Sequence, residues 1–283
     1  SRGDSLAATI SDIAKAAGVG KTTVCRALRD KDDVNPETKA RVKKIAAELK
    51  YRPNDIARSL ILGQSKVGGV VATPSLTPTF AETIEPIEQG LRKAGYAMLL
   101  QSATGAPGGE YLCLEQLMRQ RVAGIIALPS SSPAKRADYQ EVIDSDTKLV
   151  IIDRCIEGLD IPQILGNNYQ AAKLATEHLI SLGHRRIVYL AIPQTTFVGR
   201  ERARGFTDAM TKAGIVVTSS SIIDTEFGEE SGTNIMFQLL KLKDRPTAII
   251  ARHDLVALGA MRAIFSAGLS IPEDISIVGN GDM

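Results

Sequence analysis

A short helical stretch that begins at Lys21 carries side chains able to hydrogen-bond to DNA. Thr22 and Arg26 are four residues apart, which places them on one face of a helix beside Lys21. Val24 and Leu28 lie about 200° around the helix from these polar side chains. An arginine can donate two hydrogen bonds to guanine, while lysine and threonine reach base edges or phosphates. The pattern predicts a DNA-reading helix; the alternative is a helical bundle whose basic residues are merely solvated.

Three short helices are predicted to position this surface. Thr9 and Asp12 form a capping signal for the first helix, and Gly18 ends it. The second helix, predicted over residues 21–29, follows a tight turn. The third begins at Asn35, a cap residue that is followed by proline. Two helices joined by a tight glycine-containing turn and followed by a third are typical of a helix-turn-helix module.

Residues 18–23 also resemble the end of a phosphate-binding loop of the kind that ATP-using enzymes contain. The full loop requires a glycine where this chain has Lys15, and it requires a preceding strand where a helix is predicted. Both requirements fail, so the sequence argues against nucleotide binding at this segment.

The charge of the chain is unevenly distributed. Residues 1–60 hold 13 Lys and Arg against 8 Asp and Glu, a net charge of +5. Of the totals of 34 basic and 32 acidic residues, this leaves 21 against 24 elsewhere, a net charge of −3. A small basic module on a slightly acidic body favours a polyanionic partner.

Beyond the basic module, apolar strand patterns alternate with amphipathic helices. The candidate strands are residues 67–72, 97–102, 124–128, 149–153, 186–190, 221–224, 248–252 and 276–279. The candidate helices are roughly residues 80–94, 110–120, 134–144, 169–182, 200–213, 230–240 and 255–267. Nearly continuous apolar strands, each followed by a helix, indicate parallel sheets covered on both faces. Over more than two hundred residues, we expect two α/β lobes with a cleft between them.

The composition excludes several classes of protein. No apolar run approaches the roughly 20 residues of a membrane helix, and no basic segment followed by an apolar core indicates a secretory signal. The three cysteines are odd in number and unclustered, which is typical of reduced thiols in a cytoplasm. His178 and His184 have no nucleophile or second metal ligand at a suitable spacing. We therefore expect a cytoplasmic protein without a catalytic site, metal or cofactor.

Several motifs match a known pattern over nearly the whole chain. They are Thr9-Ile10-Ser11-Asp12-Ile13-Ala14-Lys15-Ala16-Ala17-Gly18-Val19, Thr23-Val24-Cys25-Arg26, Val34-Asn35-Pro36-Glu37-Thr38, Tyr51-Arg52-Pro53-Asn54, Ala57-Arg58-Ser59-Leu60, Thr176-Glu177-His178-Leu179, Gly183-His184-Arg185-Arg186, Ala257-Leu258-Gly259-Ala260 and Ile277-Val278-Gly279. With these motifs the chain resembles the lactose/purine repressor family of bacterial transcriptional regulators. The resemblance implies an α/β protein: an N-terminal three-helix helix-turn-helix headpiece and a bilobed, periplasmic-binding-protein-like body of parallel sheets flanked by helices.

The resemblance also implies which residues contact DNA. Lys21, Thr22 and Arg26 match positions where the family reads bases in the major groove. Leu60 matches a leucine that the family wedges into the minor groove from a hinge helix, which unstacks a base step and bends the duplex. The alternative for Leu60 is a core residue of the next lobe. The implied DNA-binding set is Lys21, Thr22, Thr23, Arg26, Asn54, Ala57, Arg58 and Leu60.

A second set of residues is implied for a small-molecule effector. The set is Thr79, Phe80, Asp153, Arg202, Phe227 and His253. Thr79, Asp153 and His253 lie at or beyond the carboxyl ends of candidate strands, where open α/β sheets bind ligands. Together the set suits a polyhydroxylated or heterocyclic molecule. The alternatives are that Phe227 belongs to the core and that Arg202 belongs to a solvated helix face. Gly281 and Asn167 stand where the family usually has acids, which argues against a sugar-like effector.

The implied function is that of a repressor controlled by an effector bound between the lobes. Its partners would be a palindromic double-stranded operator, a small-molecule effector, for which a sugar or sugar derivative is one candidate, and a second copy of itself in a homodimer or tetramer. We expect a DNA-binding domain over residues 1–50, a hinge over 51–64 and an effector-binding and dimerisation domain over 65–283 that is truncated at its end. The alternatives are a sugar receptor and a sugar-kinase-type enzyme fused to a DNA-binding headpiece.

Overall fold

The structure of the protein is a computed structural model that describes residues 8–51, 65–73, 78–103, 108–129 and 136–283. The side chains of residues 78–80 lie outside the described part as well. By its internal contacts the chain divides into two units, residues 1–65 and residues 66–283.

The first unit, the headpiece, is a three-helix module. Its helices are α1 (Ile10–Ala17), α2 (Lys21–Ala27) and α3 (Pro36–Glu48). Thr9 and Asp12 cap α1 reciprocally, and Gly18 ends it with φ 65° in the left-handed region. The apolar faces of all three helices close over one small core, formed by Ile13, Ala14, Ala17, Val24, Ala27, Val34, Val42 and Ala46. The helix-turn-helix arrangement expected from the sequence is confirmed, except that α2 ends at Ala27 rather than at residue 29.

The second unit contains two parallel sheets, which we call the first and second lobes. The first lobe contains β1 (Val67–Ala72), α4 (Pro78–Lys93), β2 (Ala97–Ser102), α5 (Gly109–Arg119), β3 (Gly124–Leu128), α6 (Arg136–Asp144), β4 (Lys148–Ile152) and β5 (Gln163–Ile164). Its strands are all parallel, in the order β2-β1-β3-β4-β5. The sequence patterns did not predict β5.

The second lobe repeats this architecture with four strands. It contains α7 (Asn168–Ser181), β6 (Ile187–Ala191), α8 (Phe197–Lys212), β7 (Ile222–Asp224), α9 (Glu229–Leu240), β8 (Ala248–Ala251), α10 (Asp254–Ser266) and β9 (Ser276–Val278). The strand order is β7-β6-β8-β9, again parallel throughout. Parallel strands point their carboxyl ends to one edge, so the segments after β6, β7 and β8 meet there.

The central strands are buried on both faces because helices cover each side of the sheets. Every residue of β6 and β8 is buried, and two apolar clusters fill the spaces between sheet and helices. On one side α9 and α10 pack closely at Gly232 and Gly259, where an added Cβ would overlap backbone of the facing helix. The α/β fold class predicted from the sequence is confirmed.

Candidate functional site

Helix α2 has a buried back and a polar front. Val24 and Ala27 are fully buried in the headpiece core, whereas Lys21 and Thr22 are exposed. The Arg26 side chain retains 51% of its accessible surface, so its guanidinium can reach a partner outside the headpiece. The expected division of this helix between apolar and basic faces is therefore present. Thr23, which was also singled out, is half-buried.

The guanidinium of Arg26 is paired with a carboxylate that the sequence analysis did not single out. An Nη of Arg26 contacts Asp33 in the turn after α2, and this contact lowers the pKa of the Asp33 carboxyl. The turn is itself anchored, because the Lys31 N–H donates to the Arg26 carbonyl oxygen (3.1 Å) and Lys43 pairs with Asp30 (2.5 Å). The ion pair thus orients the arginine at the surface before any ligand binds.

Several residues of the two predicted sites lie wholly or partly outside the described part of the chain. Asn54, Ala57, Arg58 and Leu60 lie outside the described residues. The backbone of Thr79 and Phe80 is in the first turn of α4, but their side chains lie outside the described part.

At the carboxyl edge of the second lobe, two predicted effector residues form an aromatic wall. Phe227 follows β7 and His253 follows β8, and their ring centroids are 4.7 Å apart. Phe227 is 54% exposed, so it is a surface residue of this edge rather than part of the core. His253 also caps α10, because its Nδ1 accepts from the Leu255 N–H at 3.3 Å. The cap fixes the His253 ring, and the Phe227 ring packs against it at the carboxyl edge of the lobe.

Arg202 reaches the same edge from α8. Its Nε donates to Asn168 Oδ1 (2.8 Å) and its Nη1 donates to the backbone carbonyl of Arg252 (2.9 Å). Its neighbours on the helix, Arg200 and Arg204, are instead more exposed and paired with glutamates. The alternative that Arg202 belongs to a solvated helix face is therefore wrong, and the structure brings Arg202 to the side of His253.

Sequence reasoning missed Arg252, which immediately precedes His253. Its half-buried guanidinium donates to the carbonyl oxygen of Thr225 after β7. Burial lowers the pKa of Arg252. Burial also lowers the pKa of His253; the Asp254 carboxylate opposes this change, and Arg252 and Arg202 add to it. The signal that could have found Arg252 is its place directly after a buried strand, at the edge where ligands bind.

The hydroxyl of Tyr189 lies beneath these arginines. It is buried without a hydrogen-bond partner of good geometry among the described residues, beside the guanidiniums of Arg202 and Arg252. Burial raises the pKa of Tyr189, and the two positive charges oppose that rise. The Tyr189 hydroxyl is therefore a neutral polar group beside two guanidiniums.

Two further positions singled out in the sequence are Asp153 and Gly281. Asp153 is exposed just after β4 with φ 72°; no hydrogen bond or ion pair joins it to the other candidates in the described ranges. Gly281, with φ 131°, lies beside the second-lobe residues, because a Cβ there would be 3.2 Å from Asp254 Oδ2 and 3.8 Å from His253 Nε2. A glycine at this point contributes no carboxylate to the site.

The remaining chemical motifs have structural explanations. A helix, α1, precedes Gly18, which is incompatible with the strand that a phosphate-binding loop requires. His184 bridges Thr247 and Ser276 at 3.0 Å on each ring nitrogen, and so ties β8 and β9 to the turn before β6. Within the part of the chain that is described, His, Cys, Asp and Glu form no group that could hold a metal ion. No helix in that part is long and apolar enough to span a bilayer.

Two protein-family models match the chain, one on each unit. Residues 9–54 match the model of bacterial regulatory proteins of the lacI family. Residues 64–282 match the model of periplasmic binding proteins and the sugar-binding domain of the LacI family.

Full-length relatives agree with these models. The chain is 35% identical over 274 residues to the HTH-type transcriptional repressor PurR of Mannheimia succiniciproducens, covering 96% of this chain and 81% of the repressor. It is 34% identical over 272 residues to PurR of Pectobacterium atrosepticum, covering 96% and 80%.

Solved structures show the same architecture. A lac repressor dimer bound to operator and the anti-inducer ONPF is similar with a TM-score of 0.85 and 27% identity, covering 98% of this chain and 83% of that one. A complex of the transcriptional regulator CelR with cellobiose has a TM-score of 0.68 and 27% identity, covering 96% and 82%. With repressors rather than enzymes as its relatives over nearly its full length, the chain belongs to the LacI family of bacterial DNA-binding regulators.

Proposed function

We propose that the protein is a repressor that binds a palindromic operator as a homodimer. Its affinity for the operator decreases or increases when a small molecule binds between the two lobes. The observation that carries the proposal is the exposed basic front of α2 on a fully packed helix-turn-helix. We assign residues 1–50 to DNA binding, 51–64 to a hinge and linker, and 65–283 to effector binding and dimerisation. Because its proposed partner is an operator, we place the protein in the cytoplasm.

In this proposal α2 enters the major groove with its front toward the bases. Arg26 has five N–H donors, and the pair with Asp33 occupies only part of them. The others can donate two parallel hydrogen bonds to guanine, while Lys21, Thr22 and Thr23 contact base edges or phosphates. Asp33 keeps the arginine extended and limits its choice of partner, so it is a positioning residue for base recognition.

The hinge supplies the second contact to DNA. We assign Asn54, Ala57, Arg58 and Leu60 to a segment that reaches the minor groove at the centre of the operator. Leu60 is the apolar wedge there, and Arg58 supplies positive charge toward the phosphates. A wedge between base steps bends the duplex and brings more of it against protein, which offsets the cost of unstacking.

The effector site lies at the carboxyl edges of the sheets, and its residues are Thr79, Phe80, Asp153, Arg202, Phe227 and His253. A ligand contacting both lobes favours one relative arrangement of them, and that arrangement sets operator affinity. The coupling is reciprocal: an effector that weakens operator binding must itself bind the operator complex more weakly by the same factor.

Selection from a random duplex library tests the proposal. We expect the full chain to enrich an inverted repeat at moderate salt, because a two-fold dimer reads two equal half-sites. The matched control is the Arg26→Ala variant, which retains the fold because Arg26 is at the surface, and which is expected to lose preference at one position of each half-site. Enrichment of no sequence, or of single unpaired sites, would contradict a dimeric operator-binding function.

A further inference from the structure

Two arginines at the effector edge have no carboxylate partner. Arg202 donates to an amide oxygen of Asn168 and to a backbone carbonyl, and Arg252 donates to the backbone carbonyl of Thr225. In the described part of the chain neither guanidinium is within an ion-pair distance of an acid. Both are half-buried, so both have lost part of their hydration without a neutralising partner.

The same helix provides an internal comparison. Arg200 pairs with Glu157 at 2.8 Å, and Arg204 pairs with Glu201 at 2.6 Å. These two arginines of α8 are thus neutralised by carboxylates of the protein itself, although they are the better hydrated ones. A charge left unpaired where hydration is poorest is unusual, because buried charges are normally paired.

The acids nearest to the edge do not fill this role. The Oδ2 of Asp254 accepts the backbone N–H of Met283 at 2.8 Å. Asp224 attracts Arg252 but is exposed and forms no ion pair with it among the described residues. Arg154 and Arg202, by contrast, repel the Arg252 guanidinium. Gly281, beside His253, contributes no side chain. The positive charges of Arg202 and Arg252 are therefore not paired with a carboxylate of the described residues.

From this charge and the adjacent aromatic wall, we infer that the effector is an anionic ring compound whose phosphate or carboxylate group is bound by Arg202 and Arg252. The inference rests on the proposed effector site and specifies which class of molecule occupies it. Guanidinium groups keep free N–H donors that match phosphate and carboxylate oxygens in pairs. The ring of the ligand packs on Phe227, which is 54% exposed and held by His253.

Matched pairs of neutral and charged molecules test the inference on the full chain. The probes are glucose with glucose 6-phosphate and gluconate, ribose with ribose 5-phosphate, and adenosine with its 5′-monophosphate, at equal ionic strength. Inorganic phosphate alone is a further probe. Thermal shift gives a first ranking, calorimetry gives the affinity, and anisotropy with the selected operator gives the coupling.

We expect stabilisation by anionic members that their neutral counterparts do not produce. Arg252→Gln and Arg202→Gln should weaken the best anion about tenfold to a hundredfold, as expected for a lost hydrogen bond between charged groups. Arg204→Gln, which removes an arginine already paired with Glu201, should leave the affinity unchanged. Arg252→Lys keeps the charge and loses the forked geometry, so its affinity should lie between those of the wild type and Arg202→Gln; it replaces Arg252→Gln if that variant does not fold.

Three results would overturn the inference. Neutral members that bind as tightly as their anions, with operator coupling intact, would reject an anionic effector and leave effector control standing. Equal loss in Arg204→Gln and Arg252→Gln would reject a specific arginine pair. If no anion, including inorganic phosphate, alters either the melting temperature or operator affinity while the operator is still bound, the anionic ligand fails, and effector control fails with it if the neutral probes are silent too.

Discussion

Asp33→Asn is expected to lower the selectivity of the protein for its operator while leaving the headpiece folded. The Asp33 carboxylate holds the Arg26 guanidinium in the free protein, and both side chains are about half exposed. Asparagine keeps the size of the side chain and one acceptor oxygen, but it removes the charge that holds the pair. Arg26 would then move among several rotamers and would have to be ordered when it meets a base.

Two opposing effects determine the magnitude. Removal of a negative charge strengthens binding to every duplex, operator or random, because DNA is a polyanion. Freeing Arg26 acts only where it contacts a base: ordering a long side chain at an interface costs about 0.5–1.5 kcal/mol, which is roughly a two- to twelvefold change in affinity. Because a dimer places one Arg26 on each half-site, the ratio of operator affinity to random-duplex affinity should fall by that factor for each half-site.

Fluorescence anisotropy with labelled operator and random duplex, at two salt concentrations, measures this ratio. Asp32→Asn is the matched control, because Asp32 is exposed in the same turn and forms no ion pair within the described ranges. It should strengthen binding to both duplexes equally. The reasoning is refuted if the two variants have the same ratio, or if Asp33→Asn still lowers the ratio in an Arg26→Ala background.

Three further predictions concern other parts of the molecule. Gly259→Ala should lower the free energy of unfolding by about 1–3 kcal/mol through overpacking, because the new methyl group overlaps the Glu229 carbonyl. Gly90→Ala, in open space on α4, should instead raise it by about 0.5–1 kcal/mol. Denaturant unfolding measures both changes. Burial, aided by Arg252, lowers the pKa of His253, so the unfolded protein binds a proton on this residue before the folded protein does as the pH falls below about 6.5. Acid pH therefore favours unfolding, and the melting temperature should fall more steeply toward acid pH in the wild type than in His253→Asn, which keeps a capping side chain. Leu60→Ala should reduce operator bending in a circular-permutation assay, and unchanged bending would exclude the wedge.

Much of the fold was predictable because local signals agree with tertiary packing. The reciprocal cap of Thr9 and Asp12 was visible as a spacing, and it forms in the structure. The strands were located to within one residue at each end, because buried parallel strands are nearly continuous apolar runs. The two-residue β5 was missed since Gln163–Ile164 has no such run, and only its pairing with β4 makes it a strand.

The candidate site was less predictable because its essential relations are tertiary. Arg202 looks equivalent to Arg200 and Arg204 in the sequence, and only the approach of α8 to the end of β8 distinguishes it. The ion pair of Arg26 joins residues on either side of a turn, with no helical spacing to reveal it. Arg252 was overlooked because it was counted as the last residue of the candidate strand over residues 248–252, whereas β8 ends at Ala251. These contacts depend on where elements meet.

The central claim, that the front of α2 reads bases, is tested most directly by measuring Arg26→Ala on single-base variants of the selected operator. The account predicts a loss of about 1–3 kcal/mol for each half-site and relaxed selectivity at one base pair in each half-site, at symmetric positions. Equal weakening on every sequence, including random duplex, would contradict the account, because Arg26 would then contact only phosphate.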